Sequence, residues 1–262
     1  MKKKSNYGLI DLVKVMKALR DPDNGCPWDL EQTFETILPY TIEEAYEVAD
    51  AIDSGCMDNL KEELGDLLFQ SIYHAQMACE KGLFNIDDVI NDVTNKMITR
   101  HPHVFEGVKA DSANDVDKIW EARKSKEGKH PNKSALDGVT KALPSLLRAQ
   151  KLQKNAAKVG FEWDNATHVL DKLEEEIQEM REAIANNDLE NQEEELGDII
   201  FLLANYARML GINSEEAVRK CNTKFERRFR GVEQDIKSQG LEIYNATLEQ
   251  MEDSWNKQKE KE

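Results

Sequence analysis

Glu43-Glu44-Ala45-Tyr46-Glu47 is followed by Glu62-Glu63-Leu64-Gly65-Asp66, and the same pair of motifs returns as Glu175-Glu176-Ile177-Gln178-Glu179 and Glu194-Glu195-Leu196-Gly197-Asp198. Each copy reads EExxE, a gap, then ExxD. Glu44 and Glu63 stand 19 residues apart, and so do Glu176 and Glu195. Residues three apart on a helix share a face, so each motif aims two carboxylates the same way. Two such helices packed side by side bring four carboxylates together, a cluster that repels itself. A hard divalent cation relieves that repulsion, and oxygen-only ligands favour Mg²⁺ or Mn²⁺ over zinc.

Composition limits what surrounds these motifs. The chain has 262 residues, 40% hydrophobic and 33% charged, with a formal net charge of -16. That charge argues against binding duplex nucleic acid through a basic face. It leaves room for a small anion neutralised by metal and local lysines. Cys26, Cys56, Cys79 and Cys221 form no CxxC pair and read as reduced thiols, which places the protein in the cytoplasm. Met1-Lys2-Lys3-Lys4 resembles the start of a signal peptide, but Asp11, Lys14 and Lys17 interrupt the apolar run after it. No stretch approaches the roughly 20 apolar residues of a membrane span.

Apolar spacing and breakers predict helices throughout. The first ends near Arg20, before Asp21-Pro22-Asp23-Asn24-Gly25-Cys26-Pro27, and Trp28-Asp29 falls in the loop. Thr41-Ile42-Glu43-Glu44 reads as a capping box opening the first acidic helix. A longer helix spans Asp58 to Lys81, with Leu60, Leu64, Leu67, Leu68, Ile72 and Ala75 on its buried side. Others cover Ile86 to Arg100 and the neighbourhood of Trp120. Residues 125–138 read as a linker between a domain at 1–124 and a second at 139–262. In the second, helices are expected from Lys141 to Lys158, Thr167 to Asn186, Leu189 to Leu210, Ser214 to Gln239 and Thr247 onward. No period-two run suggests a strand. The expected class is all-α.

The halves match beyond their acidic motifs. Trp28-Asp29 corresponds to Trp163-Asp164, Lys96-x-x-x-Arg100 to Lys224-x-x-x-Arg228, and Trp120-x-x-x-Lys124 to Trp255-x-x-x-Lys259. The two tryptophans of each half stand 92 residues apart. This is a tandem duplication of one helical unit. EExxE, ExxD and a following Lys-x-x-x-Arg helix resemble the MazG family of nucleoside triphosphate pyrophosphohydrolases. Asn24-Gly25-Cys26-Pro27-Trp28-Asp29, His101-Pro102-His103-Val104-Phe105 and Lys224-Phe225-Glu226-Arg227-Arg228-Phe229 resemble further landmarks of that family. The resemblance covers nearly the whole chain. It implies four-helix-bundle domains shared between protomers, hence a homodimer. It also implies Mg²⁺-dependent hydrolysis of nucleoside triphosphates to monophosphate and diphosphate, with attack at the α-phosphorus.

Carried over by position, the metal ligands are Glu44, Glu47, Glu63 and Asp66 in one half and Glu176, Glu179, Glu195 and Asp198 in the other. Solvated glutamates are common in an acidic protein, but both halves place Leu-Gly inside ExxD and an apolar run after it. Glycine costs roughly 1 kcal/mol against alanine within a helix, and its recurrence suggests close backbone approach. Glu43 and Glu175 stand beside each set as outer supports or a base, and Glu175 or Glu176 is the expected proton acceptor. Lys224 and Arg228, with Lys96 and Arg100 as counterparts, share helix faces suited to phosphate, and Lys158 is a further candidate. Trp163 and Trp255 are candidates for base stacking, which tolerates many bases and predicts broad preference. Packing or interface contact is the commoner use of tryptophan. His101 and His103 correspond to Phe229 and Gly231, so the shared chemistry does not need histidine. The denser basic surroundings of Lys224, Arg227, Arg228 and Arg230 favour the second half as the working site.

Other readings remain open. A di-iron bundle needs Glu-x-x-His, whereas the fourth residues here are Glu47, Asp66, Glu179 and Asp198. A narrower dUTP or phosphoribosyl-ATP pyrophosphohydrolase shares the acidic motif. A helical, nucleotide-responsive interaction protein shares the acidic faces without turnover.

Overall fold

A computed structural model describes residues 6–126 and 134–261. The N-terminal lysine run and the middle of the expected linker lie outside those residues. The chain divides into two compact units, residues 1–129 and 130–262, and the described residues contain helices and no strand. The first unit holds α1 (Leu9–Leu19), α2 (Pro27–Glu31), α3 (Phe34–Ser54), α4 (Met57–Glu80), α5 (Ile86–Arg100), α6 (Pro102–Phe105) and α7 (Ala113–Lys126). The second holds α8 (Ser145–Ala157), α9 (Ala166–Ala185), α10 (Leu189–Met209), α11 (Ser214–Ser238), a 3₁₀ turn (Ile243–Asn245) and α12 (Leu248–Glu260). No helix among the described residues is long and apolar enough to cross a membrane.

Two helical hairpins dominate, α3 on α4 and α9 on α10. Their turns are short, and each contains a left-handed residue, Gly55 (φ 68°) or Asn187 (φ 54°). Short turns force the helices to run antiparallel. Counting outward from the first turn, Glu44 stands level with Asp66 and Glu47 with Glu63. From the second, Glu176 stands level with Asp198 and Glu179 with Glu195. The spacing of the motifs thus becomes proximity through hairpin geometry alone.

Met16, Ile37, Ile72, Tyr73 and Met77 form the first unit's core, flanked by Leu12, Val13, Phe34, Phe69 and Ile86. A buried polar knot closes one side. Arg20 binds Glu80 through Nε (2.9 Å) and Nη2 (2.7 Å) and donates to the carbonyl of Asp29, while Tyr73 donates to Asp29 Oδ1 (2.9 Å). Burial and that bond push the Tyr73 phenol up to about 12. In the second unit Val169, Ala183, Ala204, Val232 and Ile236 are buried. Gln150 ties its helices together, with Nε2 donating to the carbonyls of Ala204 (3.1 Å) and Ile212 (2.8 Å).

Several expectations change. The first acidic helix opens at Phe34, capped by Thr33, and runs through Pro39 to Ser54. Thr41 is therefore internal, and its hydroxyl bonds the Ile37 carbonyl (3.3 Å) and His74 Nε2 (2.9 Å) instead of capping. Pro39 forfeits one backbone bond without ending the helix. Trp28 and Asp29 sit in the short helix α2, which Pro27 starts. The helix expected from Lys141 begins at Ser145, after Pro144. Leu64 and Leu68, placed on the buried side of α4, are exposed, and no other helix of the first unit covers them among the described residues. Gly65 and Gly197 meet nothing either: a Cβ at each would have open space for 4 Å.

Candidate active site

Carboxylates converge in each hairpin. Oxygens of Glu44, Glu63 and Asp66 lie within 4.8 Å of one another, as do those of Glu176, Glu179 and Glu195. The charge of Glu47 acts on both Glu44 and Glu63, while the charge of Asp198 acts on Glu195. Three of the four acids expected in each unit are thus gathered, and Glu47 and Asp198 stand near enough for their charges to act on the group.

Their surroundings differ. In the first unit, burial first and the Asp66 charge second raise the Glu44 carboxyl above its ordinary range. Burial and the Glu47 charge do the same to Glu63. A neutral donor, Gln70 Nε2, reaches Glu44 at 3.5 Å, and Gln70 Oε1 is buried without a partner. In the second unit a lysine sits against the cluster. Lys172 Nζ lies 2.9 Å from Glu175 Oε2 and 3.0 Å from Glu176 Oε1. That ammonium lowers the Glu176 carboxyl, whereas burial and Glu176 itself raise Glu195. Glu176 and Glu195 are among the buried residues, but Glu179 and Asp198 are exposed. An all-oxygen set of mutually repelling carboxylates fits a hard divalent cation.

The cations expected for phosphate lie on the next helices. Lys96 and Arg100 are on α5, Lys224 and Arg228 on α11, and α11 packs on both α10 and α8. Each arginine lies over the second tryptophan of its unit, Arg100 over Trp120 at 5.0 Å and Arg228 over Trp255 at 5.6 Å. Trp255 also leans on Phe225 at 5.4 Å. Ser254, wholly buried, donates to Asp235 at 2.7 Å and anchors α12 to α11. Lys158 caps the end of α8.

Trp163 occupies a different place. It lines a cavity of about 630 Å³ with Leu136, Leu152, Gln153, Phe161, Phe201 and Leu202. Phe201 and Leu202 lie one turn beyond Asp198 on α10, and at 100° per residue they share its side of the helix. Phe161 is 83% exposed at the mouth. Glu162 and Arg208 pair at the rim, and Asn205 Oδ1 accepts from Arg208 Nε at 3.0 Å. Gln153 Nε2 donates to the Phe201 carbonyl (2.8 Å), leaving its buried Oε1 without a partner.

Sequence reasoning missed several of these groups. Lys172 and Gln70 each stand four residues from a motif acid, a spacing that could have revealed them. Asn205, Arg208 and Leu136 carry no local signal, since only the tertiary fold brings them to the cavity.

Paired hairpins, each lined by acids on both helices with a Lys-x-x-x-Arg helix alongside, define a tandem all-α protein built on carboxylate-bearing helix pairs. A model described as the MazG nucleotide pyrophosphohydrolase domain matches residues 32–105 and 165–232. The chain belongs to this family and carries its enzymatic domain twice. It is 48% identical over 256 residues to a nucleoside triphosphate pyrophosphohydrolase of Escherichia coli strain K12, covering 96% of this chain and 97% of that one. It is 41% identical over 249 residues to a nucleoside triphosphate pyrophosphohydrolase/pyrophosphatase MazG of Thermotoga maritima, covering 95% and 94%. A crystal structure of a mazG-related protein from Thermotoga maritima aligns with 45% of this chain and 99% of its own, at 30% identity and a TM-score of 0.39.

Proposed function

We propose that this protein hydrolyses nucleoside triphosphates to nucleoside monophosphate and diphosphate with Mg²⁺, Mn²⁺ being an acceptable substitute, as a homodimer in the cytoplasm. The convergence of Glu176, Glu179 and Glu195 within 4.8 Å, beside the basic helix α11, carries the reading. The relatives' names and the family's domain support the reaction class.

Glu176, Glu179, Glu195 and Asp198 would hold metal in the second unit, and Glu44, Glu47, Glu63 and Asp66 in the first. Metal there neutralises phosphate charge and makes water a better nucleophile. Glu175 stands outside the ligand set yet next to it, so it takes the proton of the attacking water. Lys224 and Arg228 hold the departing diphosphate. Trp255 keeps the Arg228 guanidinium flat and directed. Lys96 and Arg100 repeat this arrangement in the first unit. The base lies against Trp163 in the apolar cavity next to Asp198, where stacking accepts purines and pyrimidines alike. Lys158 lies at the end of α8, the helix that supplies one wall.

Diphosphate release from a panel of ribo- and deoxyribonucleoside triphosphates tests this. The Glu179→Ala/Asp198→Ala protein is expected to lose at least a hundredfold in kcat. The Glu47→Ala/Asp66→Ala protein is expected to keep most of its turnover. Reversed losses would move catalysis to the first unit, and turnover of dUTP alone would replace the broad preference with a narrow one.

A further inference from the structure

The two carboxylate clusters are not equivalent, and the difference lies in one residue. Lys172 stands four residues before Glu176, and Tyr40 stands four before Glu44. Both positions face their cluster's first acid on the same helix side. Lys172 puts its ammonium 2.9 Å from Glu175 and 3.0 Å from Glu176. Tyr40 brings no charge and packs edge-on against Trp28 at 6.2 Å. What reaches Glu44 is the neutral amide of Gln70. The second cluster therefore carries a cation of its own, and the ion pairs recorded among the described residues bring none to the first.

We propose that Lys172 is a tethered counter-ion that competes with divalent metal for Glu176, so that the first unit binds metal more tightly than the second. A metal entering the first cluster meets carboxylates whose repulsion is unrelieved. A metal entering the second must displace an ammonium already bonded to one intended ligand and to the neighbouring Glu175. Lys172 keeps its charge throughout. Its side chain is 34% exposed, so its four-carbon stem has solvent to swing into. Displacement also frees Glu175, which ties metal entry to release of the proposed base. The arrangement makes the second site conditional: its base is engaged until metal arrives. The inference rests on the metal reading above and adds an order of affinity within one chain.

Mn²⁺ titration by calorimetry, with free Mn²⁺ followed by its spin-resonance signal, measures this without turnover. Glu63→Ala isolates the second cluster, and Glu195→Ala isolates the first. In the Glu63→Ala background, adding Lys172→Met is expected to tighten Mn²⁺ binding roughly three- to tenfold, whereas Lys172→Arg leaves it near the starting value. In the Glu195→Ala background, Tyr40→Lys is expected to weaken binding by a similar factor. Equal affinity with lysine or methionine at 172 overturns the inference and leaves the metal reading standing. Absence of Mn²⁺ binding to the unmutated protein overturns both. Circular dichroism of each variant separates a lost helix from a changed site, and Lys172 is exposed enough that its replacement leaves the core untouched.

Discussion

At the residue scale, the chemistry turns on which partner a charged or polar group finds. Glu44 and Glu176 occupy the same place in the repeat, yet one carboxyl is raised and the other lowered. Motif matching predicts them equal, because the motif omits the lysine four residues upstream. His74 shows a related effect in the first unit. It stacks on Phe34 at 5.9 Å, and Lys81 lies over the other aromatic contact, 4.6 Å from the Phe34 ring centre. Burial lowers the His74 pKa. The folded state then binds fewer protons there than the unfolded state, so stability rises with pH. This contribution is complete above the ordinary value of about 6.5 and is lost as pH falls from there toward the lowered value. Thermal melting between pH 8 and pH 5 should show the first unit of the wild type losing stability faster than that of His74→Gln. Parallel curves would mean that folding leaves the imidazole's proton affinity unchanged. His101 and His103 have no histidine counterparts in the second half, and His74 likewise serves packing peculiar to one copy.

At the element scale, helices α11 and α12 act as one piece. Ser254 is wholly buried and donates to Asp235, Lys257 Nζ lies 3.3 Å from the same carboxylate, and Gln258 Nε2 donates to the Gly231 carbonyl at 3.3 Å. A Cβ at Gly231 would stand 2.6 Å from Gln258 Oε1, so α12 sits close against α11 there. Trp255 follows Ser254 directly and lies under Arg228. Ser254→Ala removes the buried hydroxyl that donates to Asp235 and loosens the seat of Trp255. Its expected result is a melting temperature lower by a few degrees and a several-fold rise in KM, with kcat nearly unchanged. An unchanged KM would detach Trp255 and Arg228 from substrate binding. Much of this level was legible in the sequence. Most of the longer helices are legible to within a few residues, because leucine and isoleucine recur at helical spacing and Gly55, Gly82 and Gly211 end helices in the left-handed region, though α2, α6 and the start of α3 are not. The errors share a cause. At Thr41, local capping chemistry fitted a helix start, but the apolar residues Phe34 and Ile37 had already begun the helix by packing on α4. At Trp28, Pro22 and Gly25 hid a single turn that the Arg20–Asp29–Tyr73 knot holds in place. Tertiary contacts decide both, and neighbouring residues do not report them. The convergence of Glu44, Glu63 and Asp66, and of Glu176, Glu179 and Glu195, was legible because hairpin geometry converts their spacing into contact. The Trp163 cavity was not, since Leu136, Leu152, Phe201 and Trp163 meet only after three segments pack.

At the scale of the whole molecule, the apolar surface left open is too regular to be incidental. Leu64 and Leu68 on α4 are exposed, as are Leu196, Ile200 and Leu203 on α10. Each set recurs at i, i+4 or i+7 and so forms a stripe along its helix. The stripes lie beside Gly65 and Gly197, where the chain itself leaves empty space. A glycine inside an exposed helix costs roughly 1 kcal/mol against alanine, and nothing among the described residues comes near either one to offset that cost. A second helix approaching along the stripe offsets it, because the missing Cβ lets two backbones come close. Four-helix packing between protomers satisfies both observations, and the interface would be of the apolar, obligate kind. The charge pattern agrees: with 51 acidic residues in the chain, the only acid between Leu64 and Leu68 is the proposed ligand Asp66, and the only one between Leu196 and Leu203 is the proposed ligand Asp198. The expected outcome is a dimer in light scattering at micromolar concentration. Leu196→Glu/Ile200→Glu places two like charges from each protomer into the contact and is expected to give monomers or strongly weakened association, with helix content retained. Leu64→Glu/Leu68→Glu probes the first unit's stripe in the same way. Because Glu195 and Asp198 lie on the same helix as Leu196 and Ile200, loss of association should lower turnover as well. A monomeric wild type would leave the two stripes and both glycines without a partner and would remove the dimer from the proposed function.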